Sequence, residues 1–132
     1  TGAGVTSNDG FVISGTEANT VVRIEGHLVA TGDITAYSDE RLKENVEIID
    51  GAVEKVNQLR GVTYDRKDGT GSSTGLIAQD VQAVLPEAVV EDDEGMMSVK
   101  YGNLVGLLVE SVKELSAKIE AQQEEINNLK SQ

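Results

Sequence analysis

The sequence predicts an α+β fold with short N-terminal strands, a small mixed α/β region and one long C-terminal helix. Three observations predict it: short β-type runs before residue 38, alternating strand-like and helical patterns to residue 101, and an apolar heptad repeat over residues 103–130. The 132 residues are 39% apolar, with one Phe, three Tyr and no Trp. A core built mainly from aliphatic side chains is thin for a lone monomer of this length, and it favours oligomerisation.

Residues 1–37 predict a small β meander at the end of a longer fibrous β domain. Their β-type runs are about four residues long and are separated by turn residues rich in Gly, Asn and Asp. Strands this short are not stable alone, so they are expected to pair with other strands, including those of other chains. The predicted strands are Phe11–Ser14, Thr20–Ile24, His27–Ala30 and Asp33–Ala36.

The segment that follows Ser38 predicts the mixed region. Ala52, Val56 and Leu59 recur at i, i+4 and i+7, which is one face of a helix. Pro86 predicts the end of a second helix, because proline cannot donate a backbone hydrogen bond inside one. The predicted order is a helix at Ala52–Leu59, a strand at Gly61–Asp65, a mobile loop at Lys67–Thr74, a helix from Ala78 to about Leu85, and strands at Val89–Val90 and Ser98–Tyr101.

The last segment, residues 103–130, predicts a coiled-coil helix. Val or Ile occupies position a of each heptad and Leu occupies position d, with Gln122 as the one exception. Packing within the chain also produces such a stripe, but its length at one end of the chain favours self-association. The a and d residues favour a parallel dimer, while Gln122 leaves the number of helices open. This heptad seam consists of Val105, Leu108, Val112, Leu115, Ile119, Gln122, Ile126 and Leu129.

The composition excludes several classes of partner and cofactor. There are 23 acidic and 11 basic residues, and the net charge of −12 argues against nucleic acid and anionic membranes as partners. No apolar run has the length of a membrane span. With no cysteine and with His27 as the single histidine, no disulfide, metal or other cofactor is predicted. The first residue is Thr1 rather than Met, and we interpret the chain as an excised piece.

Two loops have the composition of ligand sites, and both are interpreted as solvent-exposed turns. The loop Gly69–Gly75 lacks the Gly-Lys-Ser/Thr ending of a phosphate-binding P-loop. The turn Glu91–Glu94 lacks the alternate ligands and the distant glutamate of an EF-hand calcium loop. Neither loop predicts a bound ligand.

Three ordered motifs carry a resemblance to a known family. By composition alone the first is a helix start, with Ser38 as the N-cap and acidic residues in the first turn. The motifs are Ser38-Asp39-Glu40-Arg41-Leu42-Lys43-Glu44-Asn45 preceded by Gly32–Tyr37, then Gly75–Val81 with Leu85-Pro86-Glu87, then Val99-Lys100-Tyr101 with the terminal helix. Together they resemble the intramolecular chaperone domains at the C-termini of phage tail fibres, tailspikes and endosialidases, known as peptidase family S74. The first motif resembles the cleavage motif of that family.

The resemblance implies a single self-cleavage by a Ser-Lys dyad. Residue by residue, it implies the bond Tyr37–Ser38 as the scissile bond, Ser38 as the nucleophile and Lys43 as the general base. A serine hydroxyl needs such a base, and a lysine becomes one when apolar surroundings lower its pKa.

Residues five apart lie about 140° apart around an ideal helix, so Ser38 and Lys43 cannot meet on one regular helix. Either Ser38 precedes the helix, or Lys43 reaches the serine of another subunit. Asp39, Arg41 and Asn45 are candidate supports of the dyad without assigned roles.

The resemblance also implies a homotrimer, whose partners are its own copies and the upstream fibre region of the same chain. Residues 1–37 would be the end of the fibre and residues 38–132 the chaperone. Assembly would take place in the host cytoplasm; the fibre part would stay in the virion tail and the chaperone part would be released. The alternative is a permanent, non-catalytic trimerisation cap or adhesin tip. A cleavage domain of a membrane-tethered eukaryotic transcription factor is disfavoured, since the sequence contains no basic DNA-binding region and no membrane span.

Overall fold

The computed structural model describes residues 13–15 and 21–132, and it divides into two units, residues 1–42 and 43–132. In the described part of the first unit, the only helical element is a short 3-10 helix, Glu40–Leu42, and no strand is formed. Every described residue of the first unit is exposed to solvent. The division into fibre and chaperone at Tyr37–Ser38 stays a prediction.

The predicted N-terminal strands are therefore absent from the described residues of this single chain. This applies to His27–Ala30, to Asp33–Ala36 and to residues 21–24; the rest of Thr20–Ile24, and residues 11–12 of Phe11–Ser14, lie outside the described residues. The physical reason is that a lone strand leaves its backbone N–H and C=O groups unpaired. Strands in this segment require neighbouring strands that one chain does not supply.

The second unit is a mixed α/β domain with two small antiparallel sheets and a long C-terminal helix, as the sequence predicts. Val62 lies opposite Gly75 in the first sheet, and Val89 lies opposite Val99 in the second. None of the helices among the described residues is long and apolar enough to cross a membrane. The elements are α1 (Ala52–Asn57), β1 (Val62–Asp65), β2 (Ser72–Gly75), α2 (Ala78–Val84), a 3-10 helix (Pro86–Ala88), β3 (Val89–Glu91), β4 (Met97–Val99), a 3-10 helix (Tyr101–Leu104) and α3 (Val105–Lys130).

The predicted loop Lys67–Thr74 is in part wrong, because its second half forms strand β2. Ser and Thr provide no apolar alternation, so the sequence pattern did not show this strand. The hairpin is instead held by polar contacts: Ser72 Oγ donates to Asp65 Oδ1 at 2.5 Å, and Thr74 Oγ1 donates to the Val62 carbonyl at 2.9 Å. Hydrogen bonds between the two strands therefore stabilise a hairpin that has no apolar alternation.

The core of the second unit lies where α1, α2 and the beginning of α3 meet. Helix α1 packs against α3. The largest fully buried side chains of this core are Leu107, in α3, and Val81, in α2. The neighbouring Ser111 is also buried, and its hydroxyl donates to the Leu107 carbonyl at 2.8 Å. The core is small and aliphatic, as the composition predicts. Its buried apolar residues are Ala52, Val81, Leu85, Ala88, Leu104 and Leu107.

Leu107→Ala should lower the free energy of unfolding by about 2–5 kcal/mol, because truncating a fully buried leucine leaves a cavity. Urea denaturation followed by circular dichroism, at one fixed protein concentration, measures the change. Val109→Ala is the matched control on the same helix, since Val109 is half exposed and lies outside the heptad seam. Equal effects of the two substitutions would contradict the packing of α3 on α1.

The N-terminus of α1 is capped by a side chain from α3. The N–H groups of Ala52 and Val53 donate to Glu114 Oε1 and Oε2, each at 2.9 Å. Gly51 precedes the helix with φ of +60°, a left-handed conformation that glycine adopts without strain, and it offers no side-chain cap of its own. A carboxylate from elsewhere in the chain therefore satisfies the unpaired N–H groups of the first turn.

Glu114→Gln should lower the melting temperature by several degrees at neutral pH. The two backbone N–H donors lower the pKa of Glu114 below its ordinary value of 4.5. A lowered folded-state pKa means that this stabilisation is complete above the ordinary value and is lost as the pH falls through the lowered one. The difference between wild type and variant, measured by thermal melts against pH, should therefore shrink in acid. A difference that is constant down to low pH would show that the Glu114 carboxylate does not act as the cap.

Candidate cleavage site and association surface

The candidate nucleophile Ser38 lies two residues before the 3-10 helix Glu40–Leu42. Lys43 follows that helix directly and is the first residue of the second unit, whereas Ser38 belongs to the first unit. Ser38 thus precedes the helical turn, which is one of the two arrangements expected from the spacing. The pairing of Ser38 with Lys43 stays a prediction.

Asp39 supplies the side-chain bond that caps the turn after Ser38. Its Oδ1 accepts the Arg41 N–H at 2.8 Å, and its carbonyl accepts the Leu42 N–H at 3.1 Å. The Arg41 guanidinium also donates to both carboxylate oxygens of Asp39, from Nε at 2.9 Å and from Nη2 at 2.8 Å. A short aspartate side chain commonly bonds the backbone two residues on, and Asp39 does so here.

Asn45 has an unusual backbone conformation. Its φ is +52°, and it is the one non-glycine residue with positive φ among the described residues. Asparagine tolerates the left-handed region better than most residues, because its short side chain bonds locally. Asn45 therefore changes the direction of the backbone two residues after Lys43. Its predicted support of the dyad is compatible with this effect on the backbone.

The scissile bond predicted at Tyr37–Ser38 is accessible in the single chain. Tyr37 is 96% exposed, and Ser38 is also exposed. Lys43 is exposed as well, so the described residues of one chain do not supply the apolar surroundings that a lysine base needs. An association that covers Lys43 would change those surroundings.

The second and third sequence motifs contact each other within the second unit. The Leu76 N–H donates to the Tyr101 hydroxyl oxygen at 3.0 Å. A Cβ added at Gly75 would lie 2.5 Å from the same oxygen, so a larger residue there would displace the Tyr101 hydroxyl. At the other end, the Lys100 N–H donates to the Ala88 carbonyl at 2.8 Å. Sequence spacing alone did not predict these contacts, which join two separate motifs into one packed region.

The acidic residues of the second unit bond to nearby donors. Arg60 Nε donates to Asp80 Oδ2 at 2.7 Å, and this bond lowers the pKa of Asp80. Asp92 Oδ1 accepts the N–H groups of Glu94 and Met96, which closes the acidic turn. In the part of the chain that the structure describes, no group of three or more His, Cys, Asp or Glu is placed to hold a metal ion.

The heptad seam of α3 is exposed along its whole length. Its seven apolar side chains are 44–65% exposed, although α3 extends over Val105–Lys130 without a break. The face that packs within the chain is a different one, formed by Leu107, Ser111 and Glu114, and it lies about 100° around the helix axis from the seam. Intrachain packing therefore does not account for the seam, and a contiguous exposed apolar stripe of this kind is typical of an association surface.

Comparisons with known proteins support the resemblance that the first motif carries. Residues 38–90 match the family model Peptidase_S74, described as the chaperone of endosialidase. The chain is similar to long tail fiber protein Gp37 of Enterobacteria phage K3, with 43% identity over 91 residues, 62% of this chain and 7% of the relative. For Gp37 of Enterobacteria phage M1 the identity is 36% over 97 residues, 66% of this chain and 39% of the relative. For Gp37 of Salmonella phage S16 it is 31% over 132 residues, 89% of this chain and 17% of the relative.

The chain spans well under half the length of each of these relatives. The family match begins at Ser38, the first residue of the cleavage-like motif, and it includes Lys43, α1, α2 and the first hairpin. The predicted resemblance is thereby confirmed: residues 38–90 carry the sequence signature of the Peptidase_S74 family, the chaperone of endosialidase.

Proposed function

We propose that residues 38–132 are an intramolecular chaperone that brings three chains of a phage tail fibre or tailspike together and then separates from the fibre by cutting Tyr37–Ser38. The observation that carries the association is the exposed heptad seam of α3, which the chain does not cover itself. The family match and the relatives named as tail fiber proteins support the context of virion assembly. The proposed partners are other copies of the chain and its own upstream fibre.

The seam would solve a problem of register. Strand pairing between chains is non-local, so the entropy of alignment is lost before any pairing stabilises the fibre. Three α3 helices that associate through local heptad contacts bring the chains together first. The unpaired segment 21–37 would then find its strand partners in the neighbouring chains.

The hairpin of β1 and β2 is a candidate contact for the nascent fibre. Residues 63–74 are all exposed, so neither face of the hairpin is covered by the rest of the second unit. Both strands also have an open edge, since each sheet of the unit contains two strands only. Open edges accept further strands, and the hairpin, which includes the predicted loop Lys67–Thr74, would hold fibre strands during folding.

The proposed cleavage is an acyl shift followed by hydrolysis. Ser38 Oγ attacks the Tyr37 carbonyl carbon through a five-membered ring, while Lys43 accepts the hydroxyl proton and returns it to the leaving Ser38 nitrogen. The Tyr37–Ser38 amide bond breaks and an ester forms between Tyr37 and Ser38 Oγ. Water then hydrolyses the ester, which leaves a carboxylate on Tyr37 and restores the serine hydroxyl.

Cleavage would be a single event for each chain, and it would make assembly irreversible. Once the chaperone has left, the fibre lacks the part that aligned its chains, so it would persist as a kinetically trapped trimer. Release in the host cytoplasm leaves residues 1–37 in the virion tail. The competing function is a permanent trimerisation cap or adhesin tip, and the exposure of Lys43 in the single chain favours it.

The test is expression of the wild-type chain, followed by a denaturing gel, mass spectrometry and light scattering. We expect products that correspond to residues 1–37 and 38–132, and a native mass of three chains. Hydroxylamine added during the reaction should trap the ester as a hydroxamate on Tyr37. A trimer that stays uncut would favour the permanent cap, while cleavage without any Tyr37 adduct would contradict the ester intermediate.

A further inference from the structure

The turn after Ser38 is closed by a bonding pattern concentrated on two side chains. Both carboxylate oxygens of Asp39 accept hydrogen bonds from Arg41, one from its backbone N–H and two from its guanidinium, at 2.8–2.9 Å. The backbone bond from the Leu42 N–H to the Asp39 carbonyl closes the same turn. Backbone and side-chain bonds therefore restrain the same four residues, 39–42.

The side chains of Asp39 and Arg41 are not buried in a core. The Arg41 side chain is 88% exposed and that of Asp39 is 43% exposed. Exposed ion pairs usually contribute little to the stability of a fold, and a bidentate arginine–carboxylate pair is the geometry that contributes most. The hydrogen bond to Asp39 raises the pKa of the Arg41 guanidinium, so the cation persists at any working pH. The pair therefore stabilises the turn of residues 39–42 locally, and this turn directly follows the proposed scissile bond.

We propose that Asp39 and Arg41 are positioning residues for the cleavage at Tyr37–Ser38, an inference that rests on the proposed function. The turn restrains residues 39–42, which directly follow the nucleophilic residue. An intramolecular attack depends on the fraction of time in which the hydroxyl oxygen lies against the carbonyl carbon. In this proposal the closed turn limits the conformations available to the chain next to Ser38 and so raises the fraction of time in which its hydroxyl can attack.

The chemistry of the pair assigns positioning rather than proton transfer. The Asp39 carboxylate accepts three N–H donors from Arg41, two of them from the guanidinium, and charge-assisted bonds of this kind are strong. Its part in the reaction is therefore geometric, and the serine proton goes to Lys43. Loss of the turn should slow cleavage without moving the pH dependence of its rate.

The test compares single-chain variants by the rate of self-cleavage, measured on gels across pH and normalised to assembled protein. Asp39→Ala should slow cleavage by about tenfold to a hundredfold, as expected when a reacting group is misplaced by about 1 Å. Asp39→Asn keeps an acceptor for the Arg41 N–H and should be slowed less. Arg41→Lys keeps the charge but loses the planar guanidinium group. Its cleavage rate should lie between those of wild type and Arg41→Ala. Glu40→Gln is the control for lost charge within the same turn, and it should cleave like wild type.

For each variant, the native mass and the melting temperature should match wild type, and the midpoint of the pH–rate profile should not move. A wild-type rate in both Asp39→Ala and Arg41→Ala would overturn the positioning role while leaving the proposed function intact. A shifted pH midpoint in Asp39→Asn would overturn it too, since Asp39 would then take part in proton transfer. A wild-type chain that assembles but never cleaves would overturn the cleavage itself and the positioning role with it.

Discussion

Ser38→Ala should leave the chain as one uncut band while its chains still associate through α3. The substitution removes the only atom proposed to attack the Tyr37 carbonyl, so the effect on cleavage should be complete rather than partial. Lys43→Ala should have the same result, because an unassisted serine hydroxyl is a weak nucleophile. Denaturing gels and light scattering on the same samples check both statements.

The controls for these variants are Ser131→Ala and Lys130→Ala at the end of α3, where both residues are exposed and far along the chain from the proposed site. Both should cleave like wild type. Continued cleavage of Ser38→Ala would contradict the nucleophile, and continued cleavage of Lys43→Ala alone would contradict the base.

A mixture of the two uncut variants distinguishes cleavage within one chain from cleavage between chains. If Lys43 of one subunit serves Ser38 of another, trimers refolded from both variants should regain cleavage, and only the Lys43→Ala chains should be cut. If the dyad lies within one chain, the mixture should stay uncut. The exposure of Lys43 in the single chain agrees with either result, because association changes the surroundings of Lys43 in both, so the mixture decides between them.

Ile119→Asp should abolish the association of the chains. Ile119 is 64% exposed at position a in the middle of the heptad seam, and a carboxylate there would be buried without a partner in each associated helix. The native mass should fall to that of one chain, and self-cleavage should be lost with it. The melting of the core around Leu107 should still be observed, since that core lies on another face of α3.

Ala117→Asp is the matched control, because Ala117 occupies the outward position f of the preceding heptad, two residues before Ile119. It adds the same charge to the same helix and should leave the native mass unchanged. If Ile119→Asp remained associated, the interface would lie elsewhere on the molecule. If it became a single chain that still cut itself, cleavage would not depend on assembly.

Much of the second unit was predictable from local patterns. The i, i+4, i+7 spacing of Ala52, Val56 and Leu59 predicted α1, which ends two residues early at Asn57. Pro86 correctly predicted the end of α2, and the acidic turn correctly predicted the hairpin of β3 and β4. Strand β2 was missed because Ser and Thr form it through polar contacts, which leave no apolar period in the sequence.

The candidate site, like the fold, was predictable from the sequence only in part. The motif from Ser38 to Asn45 identified the residues, since a chemical motif is local in sequence, and residues 38–90 match the family that it resembles. The bonds from Arg41 to Asp39, the cap that Glu114 provides for α1 and the contact of Tyr101 with Gly75 and Leu76 were not predictable from it. The last two join residues that lie far apart in the chain, so no spacing rule refers to them.

The sequence by itself determined the acidic charge, the mixed fold, the long heptad helix and the family resemblance, because each depends on composition or on neighbours within a few turns. Only the tertiary structure decided which face of α3 is used within the chain. Leu107 and Glu114 pack and bond against α1, whereas Val112 and Ile119 stay exposed. The packed face combines the apolar Leu107 with the polar Ser111 and Glu114, so apolar periodicity did not identify it. The choice follows from where α1 lies, and it leaves the seam open for other copies of the chain.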